Sequence, residues 1–245
     1  MTAEEWAEHL RRQSGWTEQI RRYLYHKADL PQMQDVLEIG CGTGLITSEL
    51  RESVHGRAVG LDRDQEKLSI AERNFDSAEF ITGEVGDIPF PKESFDGVFF
   101  HFFFLWAGEP INVLREAHRV LRAGGRAVAL AEPDYGAWID EPPELSRIGE
   151  LTRKSLLAEG ANPFIGRELG RRFREAGFSS EVLVFPALRE VMPDTFEEEW
   201  TLNRKLWENL ASPEELKSLQ QAEEQAFRES KRLMYYPIFT CIGRK

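Results

Sequence analysis

Along the first half of the chain, short apolar runs alternate with stretches whose apolar residues recur at helical spacing. Residues 36–39, Val-Leu-Glu-Ile, form an apolar run broken only by Glu38, the pattern of a strand buried on both faces. Glycines follow at 40, 42 and 44, and the spacing of residues 45–52 predicts a helix. The same pattern predicts strands at 58–61, 79–82, 95–100 and 126–131, and helices at 65–74 and 111–121. Five strands joined by connections long enough for crossover helices predict a parallel, doubly wound α/β sheet. In such a sheet ligands lie at the carboxyl ends of the strands.

Both flanks of this pattern differ. Residues 3–28 read as two helical segments dense in aromatics: Trp6, Trp16, Tyr23 and Tyr25. Beyond residue 140, helices are predicted over 142–159 and 166–176 and a sixth strand over 182–185. Residues 193–233 are charged and helical, with Trp200 and Trp207 seven apart, and read as an inserted helical cap. Residues 236–242 alternate and close the sheet as a seventh strand. The expected organisation is therefore an N-terminal helical cap (1–30), a core (31–192), a cap insertion (193–233) and a final core strand (234–245).

Composition narrows the picture. The chain has 245 residues, 41% of them hydrophobic, with a net charge of −11, and its mean hydropathy is −0.45. An acidic surface disfavours nucleic-acid backbones, and the short basic runs are spaced like polar helix faces, so no nucleic-acid partner is expected. The longest apolar stretch, 98–107, is too short to span a bilayer. The acidic N-terminus does not resemble a secretory signal. Cys41 and Cys241 have no metal-ligand spacing, and a reducing cytoplasm is the expected compartment. A homodimer is left open.

The chemistry concentrates at strand tips. Alternating glycines let the backbone after the first strand approach a bound ligand closely. A dinucleotide fingerprint needs glycine at position 45, where this chain has Leu45. Asp62, at the tip of the second strand, is placed to accept from ribose hydroxyls. The loop 83–90 sets Glu84 and Asp87 beside Val85 and Ile88, a combination suited to a purine ring and its exocyclic amine. The fourth strand runs into the aromatic stretch His101 to Trp106, and the fifth ends in Glu132-Pro133-Asp134-Tyr135.

Together with Arg119-Val120-Leu121-Arg122-Ala123-Gly124-Gly125, these motifs resemble the class I S-adenosylmethionine-dependent methyltransferases. The likeness is to their small-molecule branch, which includes the ubiquinone and menaquinone biosynthesis enzymes. It covers about residues 34–131. It implies a Rossmann-like, seven-stranded, mostly parallel sheet with the last strand antiparallel, and S-adenosylmethionine as cofactor with S-adenosylhomocysteine as product. Carried over by position, Glu38, Gly40 and Gly42, with Cys41 and Gly44 of the same turn, would surround the methionine and ribose. Asp62 would hold the ribose, Arg63 would flank the adenine, and Glu84 with Val85 would form the adenine pocket. His101 would lie beneath the sulfonium. Departures are Glu84 where Asp is usual, and Phe104-Leu105-Trp106 where Leu-Glu-His is common.

Methyl transfer from a sulfonium chiefly needs alignment and exclusion of water, and a base only when the acceptor must lose a proton. His101 is the first candidate base, followed by Asp134 and Tyr135. Trp16, Tyr23, Tyr25, Trp106, Tyr135 and Tyr236 are candidate acceptor-lining residues, with Trp200 and Trp207 added as parts of an aromatic lid. The expected activity is methylation of a small-molecule acceptor. The competing readings are an RNA or protein methyltransferase, a dinucleotide-dependent oxidoreductase, and a non-catalytic cofactor-binding protein.

Overall fold

A computed structural model describes residues 14–245; Trp6 and the rest of the first helical segment, up to residue 13, lie outside the described residues. The core begins with α1 (Glu18–Lys27), β1 (Val36–Ile39), α2 (Leu45–Ser53), β2 (Ala58–Asp62), α3 (Gln65–Asn74) and β3 (Glu79–Thr82). It continues with β4 (Phe95–Phe100), α4 (Pro110–Val120), β5 (Leu121–Pro133) and the short β6 (Ile139–Glu141). Then come α5 (Ser146–Ala158), α6 (Ile165–Glu175), β7 (Ser179–Arg189), α7 (Phe196–Trp207), α8 (Pro213–Arg228) and β8 (Leu233–Arg244).

The sheet runs β3-β2-β1-β4-β5-β8, with β3 through β5 parallel, so the mostly parallel, doubly wound α/β reading holds. β8 is antiparallel to β5, β6 and β7, as expected of the last strand. Eight strands are present among the described residues where seven are predicted. The extra one, β6, has three residues, and its single hydrophobic side chain, Ile139, is exposed, so it carries no burial pattern. The crossover helix α4 ends at Val120, one residue short of the predicted 121, and the chain is extended from Leu121.

Helices cover both faces. On one, Leu114 and Ala117 of α4 and Leu169 and Phe173 of α6 pack against Leu37, Ile39 and Val98. On the other, Leu24 and Tyr25 of α1 and Ile46 and Leu50 of α2 pack against Val36, Phe99 and Val128. Because strand side chains alternate, Glu38 falls on the second face with Val36. At the amino end of the sheet, Arg122 ties the starts of β1 and β4 together, at 2.7 Å from Asp35 and 2.8 Å from Asp96. That bracket braces the end of the sheet opposite the strand tips.

α7 and α8 form a separate small core with α5. Phe196, Trp200, Trp207, Leu216 and Phe227 close on Leu145, Ile148 and Leu151. α8 starts where its sequence says it should: Ser212 accepts from the Glu215 amide, Pro213 opens the first turn, and two glutamates follow. Arg232, fully buried, anchors this unit through Asp140 of β6 and Glu223 of α8, each at 2.8 Å. Glu223 also accepts from the Trp200 indole N–H at 2.8 Å. Among the described residues no helix is long and apolar enough to cross a membrane.

Candidate active site

β1 lies between β2 and β4, whose crossovers leave in opposite directions. The crevice at their carboxyl ends is the switch point where doubly wound sheets bind ligands. The turn after β1 lines it. Gly40, Gly42 and Gly44 have φ of +76°, +53° and +84°, a left-handed region that side chains with a Cβ enter only with strain. At Gly40 there is no room either, since a Cβ would come within 2.4 Å of the Phe103 ring. The turn is held from β2: Asp62 accepts the Gly42 amide at 2.8 Å through one carboxylate oxygen and the Asp64 amide at 3.0 Å through the other.

Glu38 is buried beneath this turn and accepts from the Thr47 hydroxyl of α2. Loss of water pushes its pKa up to about 8, with the Glu49 and Asp62 carboxylates adding to the rise. Its neighbour across the ladder is Gly60, where a Cβ would sit 2.7 Å from Thr47 Oγ1 and 2.8 Å from Cys41 Sγ. The bareness of Gly60 thus admits both side chains. The Cys41 thiol consequently points into the fold, and burial raises its pKa.

On the far side of Asp62, the loop 83–90 presents an exposed Glu84 and a Val85 packed against the core. Arg119 of α4 fixes this loop by donating to the carbonyls of Phe90 at 2.8 Å and Ile88 at 2.9 Å. Glu116, paired with Arg119, accepts the Ile88 amide at 3.1 Å. Arg63 is exposed beside Asp62.

The other side of the crevice is aromatic. After β4 the chain turns sharply, with Phe102 at φ +50°. Tyr135, Trp138 and Tyr236 form a cluster with ring centroids 5.0–5.7 Å apart, and Phe102, Ile20 and Met234 pack around it. Burial raises the Tyr236 phenol to about 12 and Tyr135 well above its ordinary value, so both hydroxyls stay protonated near neutral pH.

His101 meets α1 here. Its Nε2 is 2.8 Å from Thr17 Oγ1, which also receives Arg21 Nη1 at 2.8 Å. Desolvation and then the Arg21 charge hold His101 down at about 3, so it is neutral at physiological pH. Arg21, itself buried, makes a two-point pair with Glu49 of α2 at 2.6 and 2.9 Å.

A family profile described as Methyltransferase domain matches residues 37–129. An uncharacterized 37.1 kDa protein in transposon TN4556 of Streptomyces fradiae is 33% identical over 156 residues. That match takes in 62% of this chain but only 45% of the relative, so the chain spans under half of that protein's length. The demethylmenaquinone methyltransferase of Geobacillus kaustophilus is 31% identical over 193 residues, covering 69% of this chain and 79% of that one. The chain belongs to the class I S-adenosylmethionine-dependent methyltransferases. Its fold is also that of a putative methyltransferase from Bacillus halodurans, with a TM-score of 0.64 at 16% identity, covering 92% of this chain and 98% of the other.

In this methyltransferase the sequence-selected residues divide. Glu38, Gly40, Gly42, Gly44 and Asp62 come together at the turn after β1, with Glu84 and Val85 in the loop that follows β3, whereas the Cys41 thiol points into the fold. Tyr135 and Tyr236 face each other. Asp134 is buried, and both its oxygens are engaged by Arg167, the second at 2.7 Å. Tyr25 is buried against Phe99, and its hydroxyl donates to Glu49 at 3.1 Å. Trp16, Tyr23 and Trp106 are about half exposed, and Tyr23 meets Phe185 of β7 edge-on. Trp200 and Trp207 belong to the interior of the cap, edge-to-face at 5.7 Å, and do not line the crevice.

Two contributors lay outside the sequence-selected set. Arg119 was read only as part of a turn motif, and Glu132 only as a residue at a strand tip. Trp138 is a third, in the loop just before β6, where a lone aromatic carries no periodic signal.

Proposed function

We propose that this methyltransferase acts on a small-molecule acceptor held against the Tyr135–Trp138–Tyr236 cluster, with S-adenosylmethionine lying across the tips of β1, β2 and β3. The observation that supports the cofactor placement is the cradle itself. Three left-handed glycines, a carboxylate at the β2 tip and an apolar floor at Val85 meet at one switch point. The residues fit the cofactor: Asp62 suits ribose hydroxyls, Val85 and Ile88 suit the face of a purine, and the turn amides suit the methionine end.

When bound, the cofactor supplies a methyl group on a sulfonium, an activated leaving group. The protein's own part is alignment. Asp62 and the glycine turn fix one end, Phe102 and Phe103 wall the crevice, and the aromatic cluster orients a flat acceptor and excludes water. Such positioning supplies roughly 7–11 kcal/mol in favourable cases. A neutral, weakly basic His101, with Nε2 already bonded, supports transfer without a strong general base at that position. Glu38 is the buried carboxyl nearest the turn and orders α2 through Thr47.

Calorimetric titration with S-adenosylhomocysteine and with NADH tests the reading. S-adenosylhomocysteine should bind, NADH should not, and Asp62→Ala should weaken the former by tenfold or more. Tight NADH binding would overturn it in favour of an oxidoreductase. Demethylmenaquinone is the first acceptor to assay because the Geobacillus relative is named for it, with bulk RNA and protein as counter-substrates. Removing residues 1–15 tests the aromatic lid: acceptor turnover that survives unchanged would remove the N-terminal segment from the lid.

A further inference from the structure

Glu132 is a fully buried carboxylate at the end of β5 whose partners are all backbone amides, and nothing in the cofactor cradle uses it. It sits near the end of β5, where the register with β8 shifts between Ala129 and Glu132, and its side chain is fully buried. It bonds to three consecutive backbone amides of the loop after β4. Oε1 accepts from Phe103 at 2.8 Å and Phe104 at 2.9 Å, and Oε2 accepts from Leu105 at 3.1 Å. The preceding amide, Phe102, donates to Ala131 at 3.0 Å, so the whole turn hangs on the end of β5.

We infer that Glu132 is a positioning residue: its carboxylate clamps the Phe102–Leu105 turn so that the Phe103 ring lies against Gly40, shaping the wall between the cofactor cradle and the aromatic acceptor cluster. The inference rests on the methyltransferase reading above and extends it to a residue that touches neither ligand.

The physical case is one of donors without an alternative. Phe104 and Leu105 are buried, and their amides would be orphaned without the carboxylate. A turn with a phenylalanine at φ +50° is strained and persists only when its surroundings over-determine it. Three charge-assisted bonds supply that restraint. A neutral amide does not replace it, because a glutamine offers one accepting oxygen and would turn an N–H₂ toward one of the three donors. The consequence reaches Gly40 through a single ring, since Phe103 is the atom group a Cβ at Gly40 would strike.

Burial raises the Glu132 carboxyl to about 7 against the pull of the three amides, so its ionisation is observable at moderate pH. The groups around it are distinguishable. His101 on the same loop stays neutral, Tyr135 stays protonated, Asp134 is paired with Arg167, and Glu38 across the crevice titrates at about 8.

The test uses the full chain, labelled with ¹⁵N, and S-adenosylhomocysteine as the probe. In the unaltered protein the amide resonances of Phe103, Phe104 and Leu105 should move together with a common midpoint of about 7. Glu132→Gln should abolish that movement, leave the melting temperature within a few degrees, and weaken S-adenosylhomocysteine binding about tenfold. Phe103→Leu, which leaves the clamp intact, should weaken binding similarly while the three amides still titrate. Should Glu132→Gln fail to fold, the amide titration and Phe103→Leu still decide the matter.

Amide resonances of Phe103, Phe104 and Leu105 that are the same in Glu132→Gln as in the unaltered protein, or undiminished binding in either variant, overturn the clamp. A wild-type protein that does not bind S-adenosylhomocysteine at all overturns the methyltransferase reading instead.

Discussion

Replacing Glu38 with glutamine separates what the cradle needs from what the fold tolerates. The carboxyl is buried on the central strand, with its pKa raised from the ordinary 4.5 to about 8. A raised carboxyl pKa means the folded chain holds its proton more tightly than the unfolded chain. The stabilisation is therefore complete below pH 4.5 and is lost as pH rises through 8. Over the three pH units from 5 to 8 the loss is roughly 4 kcal/mol, at about 1.4 kcal/mol per unit. Glutamine does not titrate. It keeps an oxygen for the Thr47 hydroxyl but buries an N–H₂ whose lack of a partner costs about 1–3 kcal/mol.

Glu38→Gln should accordingly be less stable than the parent at pH 5 and more stable at pH 9, in urea unfolding followed by circular dichroism. S-adenosylhomocysteine binding should fall above pH 8, where the parent carries a charge facing the glycine turn, and differ little below it. A stability difference between the two proteins that stays constant from pH 5 to 9 would refute the reasoning, since it would mean Glu38 does not titrate in the folded state.

Other expectations follow from groups at the edges of the site. His101, depressed to about 3, contributes stability above pH 6.5 that is lost as pH falls, because only the unfolded chain takes up the proton. Thermal melts of His101→Asn should therefore show a shallower decline between pH 6.5 and 4.5, a difference of roughly 3 kcal/mol at about 1.4 kcal/mol per unit. Arg232→Met leaves the buried Asp140 and Glu223 carboxylates facing each other without their cation, at a cost of about 3–5 kcal/mol. Calorimetry should show a melting temperature lower by about 10 °C, at about 2–4 °C per kcal/mol for a chain of this size. Also replacing Asp140 and Glu223 by their amides should restore much of the loss.

Of the first five strands, β1, β2, β4 and β5 were legible because each buries a run of side chains, whereas β3 buries none fully and was marked only by its short apolar pair Phe80-Ile81. Gly40, Gly42 and Gly44 announce a backbone conformation, and Asp62 follows at a distance fixed by one crossover. What could not be read were partnerships between distant residues. Glu132 meets amides at 103–105, Arg119 meets carbonyls at 88 and 90, and Arg122 meets Asp35 and Asp96, all across helices and strands whose packing sets the encounter.

The aromatics show the same limit from the other side. Trp200 and Trp207, seven apart on one helix, share a face, but periodicity does not say which neighbour that face meets. The structure turns it toward α5 and α8, away from the crevice. Tyr25 likewise lies on the helix expected to cover the acceptor, yet it faces inward to Phe99 and Glu49. Sequence spacing located the aromatic density correctly and misassigned part of its direction.

The pairing of β8 has a consequence for how the chain comes to be folded. Residues 233–244 supply hydrogen-bond partners to β5, β6 and β7 at once, so Ala129 must wait for Cys241 and Val182 for the same residue. The cradle side of the sheet, β3-β2-β1-β4, has no such dependence and can pair as soon as it is synthesised. During synthesis the half that carries the glycine turn is thus assembled early, while the half that carries the Tyr135–Trp138–Tyr236 cluster has open strand edges until residues 233–244 arrive. Contacts of such long sequence separation form slowly and leave exposed edges vulnerable to aggregation. Early occupation of the glycine cradle would then act on a chain whose second half is still being decided.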